Sequence, residues 1–416
     1  MPLHGAPTDN RCFRKLWGVN AGHGVEGRDR HAGAGIYLQC LLRHPVCADC
    51  GLDQLFPLWL RSQGLTEADV GLCLSLGSVL AIVANPIVGI IADKTGRRER
   101  LLIVLGSATA LISLFNFMAE GFTVILAIYL SVRLFSSSLI PLSESIVLAN
   151  MKRLDLNFGR IRSWGSSAVV ALSPVLGILV DRTGPTAIIV VLSCAYAAQA
   201  LAACALPVHR EERARQPAPS APMTKVLRVP GFGLLLGSAA ISQACHGVFY
   251  TYSTFYWLAA GHSAMVIGLL WALGVTVEIV VFKFSHLVTR RFSWILIVAA
   301  CGGGVLRWGL LGLSGELPMA ILVQLLQGAT LGLTQVGVAA YMSASMPPRI
   351  LSTGTGLYTA CTGLLAAVFI YGGGLLYPGF GGRLFLVSAA LCAVALIPAT
   401  ILAVHIHRRL GARTDH

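Results

Sequence analysis

Eleven apolar runs of about 20 residues or more follow one another between residues 67 and 405, at roughly 67–92, 100–118, 122–150, 160–180, 186–206, 231–258, 263–286, 293–313, 317–343, 351–376 and 384–405. A helical run of that length crosses the roughly 30 Å hydrocarbon core of a bilayer, and a helix is one of two structures that leave no backbone group unsatisfied in lipid. The pattern predicts an all-α, polytopic membrane protein. Charged residues make up 12% of the chain and hydrophobic residues 55%, where a soluble domain carries about 25% charged. The formal net charge of +13 does not point to nucleic acid, because the basic residues occupy short gaps between apolar runs instead of one face or one tail. Their partner is the lipid bilayer. From Cys73 onward the cysteines are scattered through apolar runs, where a thiol acts as a small hydrophobe, so no disulfide framework is expected. Nor is a cleavable signal peptide, since no basic leader, apolar core and small-residue site open the chain.

Loop charge sets the expected topology. Nineteen basic residues, from Lys94 to Arg413, fall in one set of alternate loops, and only Arg61, Arg182 and Arg383 fall in the other. The bias predicts that the basic loops and the C-terminus are cytoplasmic. Residues 207–230 carry Arg210, Arg213, Arg215, Lys225 and Arg228 around a Pro/Ala/Ser-rich middle, which reads as a cytoplasmic linker between transmembrane halves at 55–206 and 231–406, with a tail at 407–416. Residues 1–54 are anomalous and are read as a non-membrane segment. Their best apolar stretch, Gly33–Leu42, is stopped by Arg43, His44 and Pro45, and Leu55-Phe-Pro-Leu-Trp-Leu60 then reads as the outer end of a helix whose body is missing. Two readings are open: a wrong frame or start, or a true extension with Cys40, His44, Cys47 and Cys50 as a metal site. Cys-x-x-Cys with one His and no second pair is a weak zinc signal; no metal and no cofactor are expected.

Between the first two spans stands Gly89-Ile-Ile-Ala-Asp93-Lys94-Thr-Gly96-Arg97-Arg98. Gly96 permits a tight reversal, Asp93 can face the positive pole of a helix N-terminus, and the cations hold the loop in the cytoplasm. Gly89, Asp93, Lys94, Gly96, Arg97 and Arg98 resemble the gating-loop signature between the second and third helices of the major facilitator superfamily of transporters. An internal repeat agrees: Gly64…Gly71 and Gly261…Gly268 each hold glycines seven residues apart at the start of a long helix that ends in a basic hairpin. Two parallel repeats joined by a basic linker are the sign of a transporter of two six-helix halves with its site between them. Eleven visible spans leave the first half one helix short.

Ionisable residues inside spans cost about 2.5–3.5 kcal/mol on the mildest scale and require a reason. Arg133 and Glu144 lie eleven residues apart in one run, which returns them to one helical face. Arg133 resembles the fourth-helix arginine of the superfamily, with Ser137 replacing a glycine; it can equally serve a backbone carbonyl or snorkel. Gln243, His246, Tyr250 and Trp257 recur on one helical face, where imidazole and amide can bond a carboxylate and the rings can stack, although a lone His can also be structural. Glu278 is flanked by apolar residues, and a carboxyl in such surroundings can carry a proton at neutral pH; a fixed ion pair with Arg307 or Lys283 is the other reading. Arg307 can hold an anion bidentately or only neutralise Glu278. Gln324, Gln327 and Gln335 are expected on one face, as hydrogen-bond donors to a cavity or as packing glue.

The segments Pro141-Leu-Ser-Glu144-Ser, Phe158-Gly-Arg160-Ile-Arg162-Ser-Trp164-Gly165, Tyr256-Trp257-Leu-Ala-Ala-Gly261-His-Ser-Ala, Leu270-Trp271-Ala-Leu-Gly274-Val-Thr-Val-Glu278 and Val305-Leu-Arg307-Trp308-Gly309 resemble the 3-phenylpropionate permease branch of the superfamily. The resemblance implies a proton-linked importer of an aromatic acid in a bacterial inner membrane, working as a monomer by alternating access. On that reading Arg307 and His246 engage the carboxylate, Tyr250 and Trp257 pack the ring, Gln243 and Gln327 add hydrogen bonds, and Glu278, Glu144 and Arg133 handle the proton. Two other outcomes stay open. Ser173-Pro174-Val-Leu-Gly177 partly matches an antiporter motif, which implies efflux, and loss of the first helix implies a non-transporting remnant. No nucleophile elbow, phosphate loop or paired metal-ligand helix is present, and an enzyme is not expected.

Overall fold

The computed structural model describes residues 54–154, 158–204, 223–292 and 295–414, and among these no β-strand occurs. The short helix α1 (Phe56–Ser62) leads into α2 (Glu67–Thr95) and α3 (Arg98–Ser113), followed by α4 (Phe122–Ser136), α5 (Leu139–Leu154), α6 (Phe158–Thr183) and α7 (Thr186–Cys204). The later series is α8 (Met223–Leu227), α9 (Phe232–Leu235), α10 (Ile241–Ala259), α11 (Ala264–Phe292), α12 (Leu296–Leu313), α13 (Leu317–Leu325), α14 (Leu333–Ser345), α15 (Pro348–Phe380) and α16 (Leu384–Thr414). Among the described residues ten apolar stretches are long enough to cross a membrane, and the last of them, Arg349–His407, is two helices, α15 and α16, turned back at Gly381–Arg383. The described residues therefore make eleven crossings, matching the eleven apolar runs. The residues expected as a metal site, Cys40, His44, Cys47 and Cys50, lie outside the described residues, as do 207–222 of the expected linker.

Local chemistry accounts for the element ends. Thr66 opens α2 with a reciprocal cap, its Oγ1 accepting the Asp69 N–H at 3.2 Å while Asp69 Oδ2 accepts the Thr66 N–H at 3.0 Å. Gly96 closes α2 in the left-handed region, φ 61°, which is open to a residue without Cβ. Pro141 has no N–H to return to the carbonyl four residues earlier, and the helix breaks at Ser137–Ser138, between α4 and α5. Two π-helical turns widen later crossings: Leu236–Ala240 joins α9 to α10, and Gly328–Gly332 lies between α13 and α14. Where the linker was expected to stay unpacked, Met223–Leu227 forms α8 against α15, with Val226 fully buried beside Phe232 and Met346.

Among the described residues the short α1 touches α10, and two long helix pairs join the early and late series, α2 with α15 and α6 with α11. Both long pairs rest on glycine. A Cβ on Gly71 would lie 3.2 Å from Gly374 Cα and 3.1 Å from the Ile370 carbonyl, and one on Gly177 would lie 2.7 Å from Met265 Cα. Gly268 faces Pro174 in the same way, at 2.9 Å. The repeat read from sequence thus has a structural counterpart: Gly64 and Gly261 both adopt positive φ, 82° and 89°, and Gly71 and Gly268 both sit at a close crossing with the opposite series.

Candidate substrate and coupling site

The buried polar centre of the later series is Arg307, fully enclosed on α12. Its Nε donates to the Val323 carbonyl at 2.9 Å, Nη1 to Thr330 Oγ1 at 2.9 Å and Nη2 to Gln324 Oε1 at 3.1 Å. The guanidinium carbon lies 4.5 Å from the ring centroids of both Phe249 and Trp308. Two ring faces and three neutral oxygens therefore surround a cation, a combination that offsets part of its desolvation cost. Among the described residues Arg307 makes no ion pair, so the alternative reading of Arg307 as a fixed counter-ion of Glu278 is not its arrangement here.

His246, on α10, shares one oxygen with Arg307: its Nε2 lies 3.1 Å from Thr330 Oγ1, and its Nδ1 lies 3.1 Å from the Ser242 carbonyl. A carbonyl only accepts, so Nδ1 carries hydrogen; in the neutral ring Nε2 is then an acceptor, with the Thr330 hydroxyl the donor in reach. Trp308 meets this imidazole edge-on, 5.1 Å between centroids. Gln327 forms the second junction. Its Nε2 donates to Glu278 Oε1 and, at 3.3 Å, to the Tyr250 hydroxyl. Glu278 and Tyr250 are half-buried, and Tyr250 packs 5.5 Å from Trp271.

Of the residues anticipated from sequence, Arg307, His246, Tyr250, Gln327 and Glu278 thus converge in one hydrogen-bonded cluster. Gln243 is one turn from His246 and half-buried, with a buried Oε1 that has no hydrogen-bond partner among the described residues. Trp257 is fully buried, packed against Phe249 at 5.7 Å and Trp271 at 6.0 Å, a wall of the aromatic core more than an open ring. Gln335 leaves the face of Gln324 and Gln327 and is exposed. The π-turn between them inserts a residue and rotates the following face by about 100°.

The first-series residues lie elsewhere. Arg133, on α4, lines a small, partly open pocket with Phe56, Asn116, Tyr129, Ser193 and Tyr196. Glu144 is half-buried on α5, beyond the break at Ser137–Ser138, so the eleven-residue spacing does not run along one continuous helix. In the hairpin, Arg98 Nη2 bonds Asp93 Oδ1 at 3.1 Å, where Asp93 had been expected at a helix pole; Arg98 is the first residue of α3. Lys94 and Arg97 are exposed, and a Cβ on Gly89 would meet nothing within 4 Å. Thr330 and Phe249 were not anticipated as site residues. Gln327-x-x-Thr330 and His246-x-x-Phe249 are i, i+3 pairs, the spacing that could have found them.

Membrane-crossing helices in two related series, crossing on glycine and enclosing a buried charge cluster, define a polytopic membrane transporter. The chain belongs to the MFS_1 like family, which its residues 54–387 match. It is similar to the probable 3-phenylpropionic acid transporter of Escherichia coli (strain K12), 29% identical over 350 residues that cover 83% of this chain and 92% of that protein. It is also similar to the uncharacterized transporter YwbF of Bacillus subtilis (strain 168), 26% identical over 88% of this chain and 96% of that one. A crystal structure of the nucleoside transporter NupG superposes with a TM-score of 0.77 at 12% identity, covering 89% of this chain and 99% of that one, and shows the shared fold. The protein is a multi-pass transporter of the major facilitator type and not an enzyme.

Proposed function

We propose that this transporter imports a small aromatic carboxylic acid together with protons across a bacterial inner membrane, as a monomer, by rocking of halves 55–206 and 231–406 about the cluster. The observation that carries the reading is the buried Arg307 guanidinium, stacked on Phe249 and Trp308 and bonded only to neutral oxygens. Three of its five N–H donors are used, which leaves one on each Nη for a carboxylate. The rings of Tyr250 and Trp271 both pack against Phe249, the ring that the guanidinium stacks on, and offer an aromatic group its contacts. Glu278 reaches the same cluster through Gln327 and serves as the proton carrier, so that its charge state and the substrate's are felt at one place. The Escherichia coli relative, named for 3-phenylpropionic acid, supports the substrate class. The efflux reading rested on Ser173-Pro174-Val-Leu-Gly177, and the close crossing of Gly177 and Pro174 with α11 accounts for those residues without it.

The glycine crossings gather toward the end of the bundle where Gly64, Gly184, Gly261 and Gly381 turn the chain. With the basic loops and C-terminus in the cytoplasm, that end faces outward and the described conformation is closed to the outside. The test is uptake of radiolabelled 3-phenylpropionate by proteoliposomes, with and without an inward proton gradient. Accumulation above equilibrium that a protonophore abolishes supports the reading; accumulation indifferent to the gradient overturns the coupling, and no uptake of any aromatic acid overturns the substrate class.

A further inference from the structure

Thr330 carries more of the cluster than its size implies. Its hydroxyl is fully buried and has Arg307 Nη1 at 2.9 Å, His246 Nε2 at 3.1 Å and the Gln327 carbonyl at 3.1 Å around it. A hydroxyl owns one hydrogen and two acceptor sites. Arg307 can only donate to it. With Nδ1–H committed to the Ser242 carbonyl, the neutral His246 ring can only accept at Nε2. The Gln327 carbonyl, and the Leu326 carbonyl at 3.4 Å, can likewise only accept, so they compete with His246 Nε2 for the single hydroxyl hydrogen. When His246 takes it, the hydrogens run from Arg307 to Thr330 to His246 to Ser242, and bonds aligned head to tail reinforce one another.

The backbone explains why a threonine side chain reaches this point. Residue 330 is the middle of the π-turn Gly328–Gly332, a widened turn of the kind found at functional sites. Both flanking glycines are required by α11: a Cβ on Gly328 would lie 2.6 Å from Val281 Cγ2, and one on Gly332 would lie 2.8 Å from Val281 Cγ1. Val281 follows Glu278 by three residues on the same helix. The glycine face of the turn therefore rests on α11 beside Glu278, while its threonine face holds α10 and α12 together through His246 and Arg307.

We propose that Thr330 is the positioning residue of this site, whose hydroxyl holds the Arg307 guanidinium for substrate and fixes the hydrogen-bonding state of His246. The proposal rests on the substrate reading above, and one of its two measurements is independent of transport. Thr330→Val keeps the side-chain shape and removes the hydroxyl; Thr330→Ser keeps the hydroxyl. In purified protein labelled with ¹⁵N-histidine, the His246 signals, identified by their absence in His246→Gln, should show Nδ1–H with a hydrogen-bonded Nε2 in the wild type and in Thr330→Ser. In Thr330→Val the Nε2 signal should move to that of an unbonded acceptor. In uptake assays Thr330→Val should raise KM for 3-phenylpropionate about tenfold, the scale of one lost hydrogen bond to a charged group, and Thr330→Ser should restore it to within about twofold. An unchanged Nε2 signal in Thr330→Val overturns the proposal. So does Thr330→Ser as impaired as Thr330→Val, which would assign the role to shape alone. A wild-type protein that takes up no aromatic acid sinks the substrate reading, while the nitrogen signals still decide the role of Thr330 at His246.

Discussion

Asp181, near the end of α6, caps the start of α11: its Oδ1 accepts the backbone N–H of Ala264 at 2.8 Å, and its Oδ2 accepts that of Met265 at 2.9 Å. A carboxylate there satisfies two donors that have no partner inside the helix and meets the positive end of the helix dipole. The cap ties the early series to the late series across the α6–α11 crossing, and alternating access must break it. Asp181→Asn loses the charge and one acceptor, worth about 0.5–1 kcal/mol at this exposed position. Alkylation of a cysteine introduced at Ser173, which is buried in this crossing, should quicken about two- to fivefold in the variant. An unchanged rate means that the cap does not hold the crossing closed.

Glycine at the same crossing gives a second handle. Gly268→Ala puts a methyl group 2.9 Å from Pro174 Cα, where backbone has no rotamer with which to yield, and should open the crossing by the same alkylation test. Gly302→Ala is the contrast. Nothing lies within 4 Å of its Cβ, and alanine in a helix interior is about 0.5–1 kcal/mol better than glycine, so its thermal midpoint in detergent should hold or rise. A fall in Gly302→Ala, or a closed crossing in Gly268→Ala, contradicts the packing described.

Glu278→Gln preserves an acceptor for Gln327 but cannot shed a proton. If Glu278 couples the proton, counterflow exchange of labelled for unlabelled 3-phenylpropionate should persist while gradient-driven accumulation disappears. Loss of both activities together would make Glu278 a structural partner of Gln327 instead.

Arg307→Lys keeps the charge and discards the planar fork. A single ammonium cannot reach Val323, Gln324 and Thr330 together or stack on two rings, and the change should cost about 2–3 kcal/mol in stability through the lost charged hydrogen bonds. The readouts are a lowered unfolding midpoint in detergent and a raised KM. A lysine variant with wild-type values for both would show that the fork geometry is not used.

The crossings, the helix ends and the family were readable because each depends on local composition: about 20 apolar residues satisfy lipid whatever surrounds them, and Thr66, Gly96 and Pro141 act on their own backbone. Even Gly71 and Gly268 could be paired by spacing. Tertiary structure decided which polar residues meet. Arg307 looked equally like an anion holder or a counter-ion for Glu278 until the folded chain supplied Val323, Gln324, Thr330 and two ring faces from other helices. Gln335 followed helical periodicity on paper, and a π-turn that no periodic reading contains carried it away. Asp181 lies at the end of one helix with nothing nearby in sequence to mark it, because its partners are backbone N–H groups more than eighty residues further along the chain. Backbone donors carry no side-chain signature, so a cap between distant helices becomes visible only when both ends are in place.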